Sequence, residues 1–310
     1  MSKVWLVTGS SRGLGRCMVE AALGAGDRVL ATARNAKALD GLKACYGDRL
    51  QTATLDVTDG QAAQLAVRQA VDAFGRLDVL VNNAGYGRIM PFEQTEDAAF
   101  RAQIDTNFYG VVNATRAALP VMRQQRSGHI IQISSIGGRI GTAGLSAYQA
   151  AKWAVNGFTE ALDKEVRPLG IKVVAVEPGG IRTDWAALAL QDTDDVLPDY
   201  AETVGAFHGM LSGYAGHEAG DPLRMAQAIV KLAHHDNPPV HLLLGSDAIL
   251  MAEQADIFRQ AQDEAWREVS LATDHMPAFP DPVRIAETDA ALRQAQSDAL
   301  LAMIREQIQA

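Results

Sequence analysis

Seven short apolar runs recur along the chain: VWLV (4–7), RVLATA (28–33), LQTATL (50–55), LDVLVN (77–82), HIIQIS (129–134), IKVVAVE (171–177) and PVHLLL (239–244). Segments of helical length separate them, among them Gly13–Gly26, Gln61–Phe74, Asp97–Arg123, Ala147–Leu169 and Arg224–His234. A strand with one wet face alternates apolar and polar residues. These runs are nearly continuous, as strands covered on both faces must be. Strand and helix alternating at this spacing predict a doubly wound α/β fold, a parallel sheet of about seven strands with helices on both faces.

Two regions depart from that rhythm. Residues 183–222 read as a long loop rich in Asp, Gly and scattered apolar residues, the composition of a lid. Residues 246–310 follow the last strand as two expected helices, with Leu292, Leu300, Ile304 and Ile308 at helical spacing in the second. The expected organisation is one α/β domain over 1–245, lid included, and a helical extension over 246–310 packed on that domain or on a neighbouring subunit.

Bulk chemistry narrows the function. A net charge of −9 repels phosphate backbones and anionic membrane surfaces, so neither nucleic acid nor membrane is an expected partner. Cys17 and Cys45 are the only cysteines, too few for a disulfide framework or a thiolate metal site. His234 and His235 read as a solvated helix end, and no metal is expected. The opening MSKVWLVTGSSRG has too short an apolar run for a signal peptide, and no run approaches the ~20 residues of a membrane span. The expectation is a soluble cytoplasmic protein.

The first strand leads into TGSSRGLG, with glycines at 9, 13 and 15, and then into a helix-forming segment. Glycine lets the backbone turn sharply and approach a pyrophosphate, while the free N–H groups and positive dipole of the helix favour negative charge. Strand before and helix after are the context such a dinucleotide loop requires. Further on, YQAAK places Tyr148 and Lys152 one helical turn apart on a single face.

Together these residues resemble the short-chain dehydrogenase/reductase family, in its compact single-domain branch. Gly9, Gly13 and Gly15 match the family's Thr-Gly-x-x-x-Gly-x-Gly. Asn82, Asn83, Ala84 and Gly85 match its Asn-Asn-Ala-Gly, and Asn107 its helix asparagine. Ser135, Tyr148 and Lys152 match its catalytic set, and Pro178, Gly179 and Thr183 its nicotinamide-side loop. The likeness covers residues 3 to about 245. It implies a nicotinamide cofactor held by Gly9, Ser11, Arg12, Gly13, Leu14, Gly15, Arg34, Asp56, Val57, Asn83, Ala84, Gly85, Tyr148, Lys152, Pro178, Gly179, Ile181 and Thr183. It also implies a homodimer or homotetramer.

Charge addresses which nicotinamide cofactor. An NAD enzyme usually places a carboxylate about 20 residues beyond the glycine loop to accept from the ribose 2′-hydroxyl. No acidic residue lies between Asp27 and Asp40, whereas Arg34 ends the second strand and Arg12 lies in the loop. Two guanidiniums suit a 2′-phosphate, so NADP(H) is expected.

The resemblance implies that Tyr148 is a general acid/base. An ammonium ~4 Å from a phenolate contributes about 4 kcal/mol at an effective dielectric of ~20, enough to draw the phenol toward neutrality. Ser135, rather than the adjacent Ser134, is expected to hold the substrate oxygen, and Asn107 to place a water beside Lys152. No Lys or Arg lies between Arg182 and Arg224, while Asp184, Asp192, Asp194, Asp195, Asp199, Glu202, Glu218 and Asp221 are acidic. The same stretch carries Trp185, Leu188, Leu190, Leu197, Tyr200, Val204, Phe207, Met210, Leu211 and Tyr214. A neutral, largely apolar ketone or secondary alcohol is the expected substrate. A 3-oxoacyl thioester reductase and a non-catalytic NADP-sensing regulator are the competing readings.

Overall fold

Every apolar run becomes a strand. The computed structural model describes residues 2–191, 196–273, 291–296, 298–299 and 302. The strands are β1 (Val4–Val7), β2 (Arg28–Ala33), β3 (Leu50–Thr54), β4 (Val79–Asn82), β5 (Gly128–Ile133), β6 (Ile171–Pro178) and β7 (His241–Leu244). They form one parallel sheet in the order β3-β2-β1-β4-β5-β6-β7. The chain runs outward from β1 to β3, then returns to place β4 on the other side of β1. That reversal opens a crevice at the carboxyl ends of β1 and β4, where ligands of doubly wound sheets bind.

The near-continuous hydrophobicity of β1, β4 and β5 has its cause in two cores. Trp5 and Val7 face one layer with Met18, Leu23 and Ile229; Val4 and Leu6 face the other with Val67, Phe74 and Met122. Burying each such side chain contributes about 1.5–3 kcal/mol. Leu80 is fully buried in β4, so Leu80→Ala would cost about 2–5 kcal/mol and loosen the crevice floor.

Helices cover both faces: α1 (Gly13–Gly24), α2 (Asp40–Tyr46), α3 (Gly60–Phe74), α4 (Asp97–Ile104), α5 (Gly110–Gln125), α6 (Ser146–Val166), α7 (Trp185–Ala189), α8 (Ala206–Tyr214) and α9 (Pro222–Ala233). Their ends follow local chemistry. The Asp59 carboxylate accepts the Gln61 and Ala62 N–H groups to start α3, which stops at Gly75 with φ 81°. Asp221 caps α9 in the same way, with Pro222 in the first turn.

Four expectations need correction. The short helix α2 was not anticipated, because seven residues carry too little periodicity to stand out. The single helix expected over 97–123 is interrupted by a π-helical turn at Asp105–Tyr109, and the supposed loop over 183–222 builds α7 and α8. His234 is no merely solvated end, since its Nε2 lies 3.0 Å from the buried Asp27 carboxylate.

Contacts divide the chain into two units, 1–245 and 246–310. The second contains α10 (Ser246–Ala265), α11 (Arg267–Ala272) and a helical segment at 291–296 that includes Leu292. Leu300, Ile304, Ile308, Asp192, Asp194 and Asp195 lie outside the described residues. Among the described residues no helix is long and apolar enough to cross a membrane.

Candidate active site

The crevice is framed by glycines that have no room for a side chain. Gly9 adopts φ 67°, and a Cβ there would meet the Ala84 Cα at 2.8 Å; a Cβ on Gly15 would strike the Gly9 carbonyl at 2.4 Å. Thr8 ties this turn to the β4 end, its Oγ1 accepting the N–H groups of Asn83 (2.9 Å) and Ala84 (3.1 Å). Asn83 Nδ2 donates to the carbonyls of Thr8 and Gly9, both at 3.0 Å. Side chains that the glycine pattern alone would not single out thus fix the turn. No side chain caps α1, which leaves its first-turn N–H groups directed into the crevice. Gly13, with φ 53°, has Thr183 as its neighbour across the opening, a Cβ there standing 3.7 Å from the Thr183 side chain. Glycine loop and nicotinamide-side loop therefore meet. Gly179 N–H donates to the Leu244 carbonyl, and Ile181 bridges Gly220, so Pro178, Gly179 and Ile181 are held by backbone pairing.

One end of the crevice collects the tyrosine, lysine, serine and asparagine. Asn107 is fully buried in the π turn, and its Nδ2 donates to the Tyr86 and Gln103 carbonyls at 2.8 Å each. Its Oδ1 accepts the Tyr86 N–H at 3.1 Å. Gly85 makes space for it, since a Cβ there would lie 2.5 Å from Oδ1 and 3.7 Å from Lys152 Nζ. A π turn inserts one extra residue and often marks a functional position. Lys152 is buried and donates to the Ile133 carbonyl at 2.7 Å, with Nζ 5.6 Å from the centre of the Tyr148 ring. The Tyr148 hydroxyl hydrogen-bonds Ser135. Ser135 Oγ also accepts the Gly137 N–H at 3.0 Å, whereas the Ser134 hydroxyl faces the Lys152 carbonyl. Ser135 is thus the serine that meets the tyrosine.

Electrostatics here differ from the sequence expectation. Burial pushes the Tyr148 phenol up to about 12, against a smaller opposing effect of the Ser135 hydrogen bond. Burial also lowers Lys152 to about 8. Withdrawal from water, and not the lysine, thus sets the direction of the phenol's shift.

The lid closes over this chamber. The Trp185 ring stacks obliquely on Tyr148, with centroids 5.3 Å apart and planes 54° apart. Gly87 allows it, since a Cβ there would be 2.7 Å from Trp185 Cζ2. Val204, Tyr200, Phe207 and Leu211 join Ile89 and Tyr148 in one apolar cluster. The sequence names Trp185 only among the lid's apolar residues and gives Gly87 no role; its place two residues after the Asn-Asn-Ala-Gly glycine is the one signal that marks it. The acidic count needs discounting. Asp184 pairs with Arg12, Glu218 is buried and accepts the Gly216 N–H, and Asp221 caps α9.

At the other end Arg34 is exposed and lies near Asp56 and Tyr86; burial raises the Tyr86 phenol, and the Arg88 and Arg34 guanidiniums offset part of that rise. Overall the Asp56 carboxyl sits below its usual range, mainly because it accepts the Thr58 N–H and hydroxyl. The Val57 side chain points into the core, and its carbonyl accepts from Asn113 Nδ2 at 3.0 Å. Arg12 departs from expectation: its guanidinium is 2.8 Å from Asp184 at the start of the lid.

The short chain dehydrogenase family model matches residues 3–194. Oxidoreductase BOA17 of Botryotinia fuckeliana is 47% identical over 274 residues, 88% of this chain and 100% of that one. The 3-oxoacyl-[acyl-carrier-protein] reductase FabG of Haemophilus influenzae is 35% identical, over 76% of this chain and 91% of its own. A short-chain dehydrogenase structure from Streptomyces avermitilis superposes with a TM-score of 0.80 at 40% identity, covering 88% of this chain and 100% of that one. ElxO with NADP bound follows at 0.67 and 30%, covering 81% and 100%. With the sheet order, the glycine turn and these likenesses in agreement, the chain belongs to the short-chain dehydrogenase family and is an oxidoreductase with a Rossmann-type fold.

Proposed function

We propose that the protein interconverts a neutral, largely apolar ketone and its secondary alcohol, with NADP(H) as the hydride carrier. The observation that carries this reading is the Tyr148–Ser135 hydroxyl pair above buried Lys152, roofed by Trp185. Bound NADPH would supply the hydride. The uncapped N-terminus of α1 and the glycine turn suit its diphosphate; Arg34, with no carboxylate in the adjoining turn, suits a 2′-phosphate. Similarity to ElxO agrees with this, although a 20% identical neighbour from Burkholderia phymatum carries NAD, so the fold alone does not select.

Ser135 would donate to the substrate oxygen and fix its position. Tyr148, protonated throughout the physiological range, would give its proton to that oxygen as hydride arrives. Lys152, about nine-tenths protonated at pH 7, would hold the ribose and restore the proton through a water placed by Asn107. Trp185 and the apolar cluster would exclude bulk water. A homodimer or homotetramer remains part of this reading.

The FabG relative favours a second reading, reduction of a 3-oxoacyl thioester. Exposed Asp199 and Glu202 on the lid oppose an anionic carrier. NADPH consumption should be followed with matched ketones that do and do not bear a carboxylate. Faster reduction of the neutral member supports the first reading; faster reduction of the charged member replaces it with the second, and no turnover of any ketone returns the NADP-sensing regulator.

A further inference from the structure

A cleft lies beside the Tyr148 chamber, lined by the β4–α4 loop from Arg88 to Glu96, by α4, by the turn into α6 and by Gln191. It shares a wall with that chamber: Ile89 packs in one cluster with Tyr148, and Ala147 immediately precedes Tyr148 in the chain. Among the cleft residues is Gln103, only 2% exposed and one turn before Asn107. Its Oε1 accepts the Arg88 backbone N–H at 3.1 Å. Only an oxygen can accept from an amide, so this bond fixes which end of the side chain is which. The Nε2 group remains, and among the described residues nothing accepts from it. Nε2 is not among the fully buried atoms that lack a partner, so this donor opens to the cleft and is placed to meet an acceptor on a ligand there.

The rest of the lining says which ligand. Arg88 and Glu96 contribute one charge of each sign, and Gln94, Thr95, Ser146 and Gln191 are neutral hydrogen-bonding groups. Such a wall selects no net ionic charge. It favours an uncharged acceptor oxygen.

We propose that this cleft receives the half of the substrate away from the reacting carbonyl, and that Gln103 donates there to a neutral acceptor such as a ketone, ester or ether oxygen. The substrate class is then a neutral molecule with two oxygens, one reduced at Tyr148 and one only recognised. This rests on the reductase reading above. Asn107, whose Nδ2 donates to the Gln103 carbonyl, ties the recognising turn to the reacting one.

The test uses pairs of ketones that differ only by replacement of the remote oxygen-bearing group with CH2. For the unmodified protein kcat/KM should favour the two-oxygen member at least tenfold, through KM. In Gln103→Met, which keeps the volume and lacks the donor, the ratio should fall to about one. No preference in the unmodified protein, or the same preference in the variant, overturns the proposal. Thermal melting checks that the variant folds; should it not, Gln103→Glu at pH 8 keeps an acceptor for Arg88 N–H and removes the donor. If no ketone of any pair is reduced, the reductase reading falls, and calorimetric binding of the same pairs still decides: at least tenfold tighter binding of the two-oxygen member, lost on substitution, upholds the cleft, and equal binding overturns it.

Discussion

The two ends of the crevice handle positive charge in opposite ways. Lys152 is 5% exposed, is fixed by one backbone carbonyl and has its pKa lowered by burial to about 8. Arg34 and Arg12 are exposed, and Arg12 is engaged by an equally accessible Asp184. A buried cation acts through position and proton content, whereas an exposed one acts through a field that water and salt weaken. Substitutions at the buried end should therefore act on chemistry and pH dependence. Those at the exposed end should act on cofactor choice alone.

The largest effect is expected from Tyr148→Phe, which keeps the ring against Trp185 and removes the proton donor. Turnover should fall by roughly 10²–10⁴-fold while NADPH affinity, measured by cofactor fluorescence, stays within a few-fold. Retention of most activity would remove Tyr148 from the chemistry and with it the distinction between the two ends.

Lys152 offers a titration that Arg34 cannot. If its ammonium is the active form, kcat/KM for reduction should be level to about pH 8 and then fall, approaching tenfold per unit. Stability should move the other way. Lys152 has a lower pKa folded than unfolded, so between about 8 and 10.5 the unfolded chain binds more protons, and the residue's contribution rises with pH by at most ~1.4 kcal/mol per unit. Tyr148 acts oppositely between 10 and about 12, where the folded form retains its proton. Denaturant unfolding of the unmodified protein and Lys152→Met at pH 7.5 and 9.5 isolates the first effect. A gap between the two proteins that does not change with pH would show that the lysine is not desolvated as described.

At the exposed end, Arg34→Asp should raise the KM for NADPH about 10–100-fold and change that for NADH little, because a charge-assisted contact becomes a repulsion. Equal use of both cofactors by the unmodified protein would refute the assignment. The smallest effect belongs to the Arg12–Asp184 pair. Half-exposed pairs contribute about 0–1 kcal/mol, so Asp184→Asn should hardly alter the melting temperature. It should lower the KM for NADPH by a few-fold by releasing Arg12, and a higher KM would mean that the pair holds the lid in its useful position.

Much of this was legible in sequence for a physical reason. A strand covered on both faces must be apolar throughout, so five of the seven strands begin within one residue of their runs, and β4 and β7 begin at the third residue of theirs. Glycines at 9, 15 and 85 were fixed in sequence because neighbouring backbone or Asn107 occupies the space of a side chain. The lid was less legible. Its helices are short, and its apolar residues pack on Ile89 and Leu145 from distant segments rather than on a periodic partner.

By itself, then, the sequence determined the parallel sheet, the glycine turn, and the spacing of Tyr148 and Lys152, because backbone geometry and hydrophobic periodicity act over a few neighbouring residues. Tertiary structure alone decided the rest. It placed Trp185 over Tyr148, turned Arg12 to Asp184, set Asn107 in a π turn and left the Gln103 amide facing a cleft. It also set the sign of the tyrosine's shift, since desolvation depends on everything packed around a group and no local spacing encodes it.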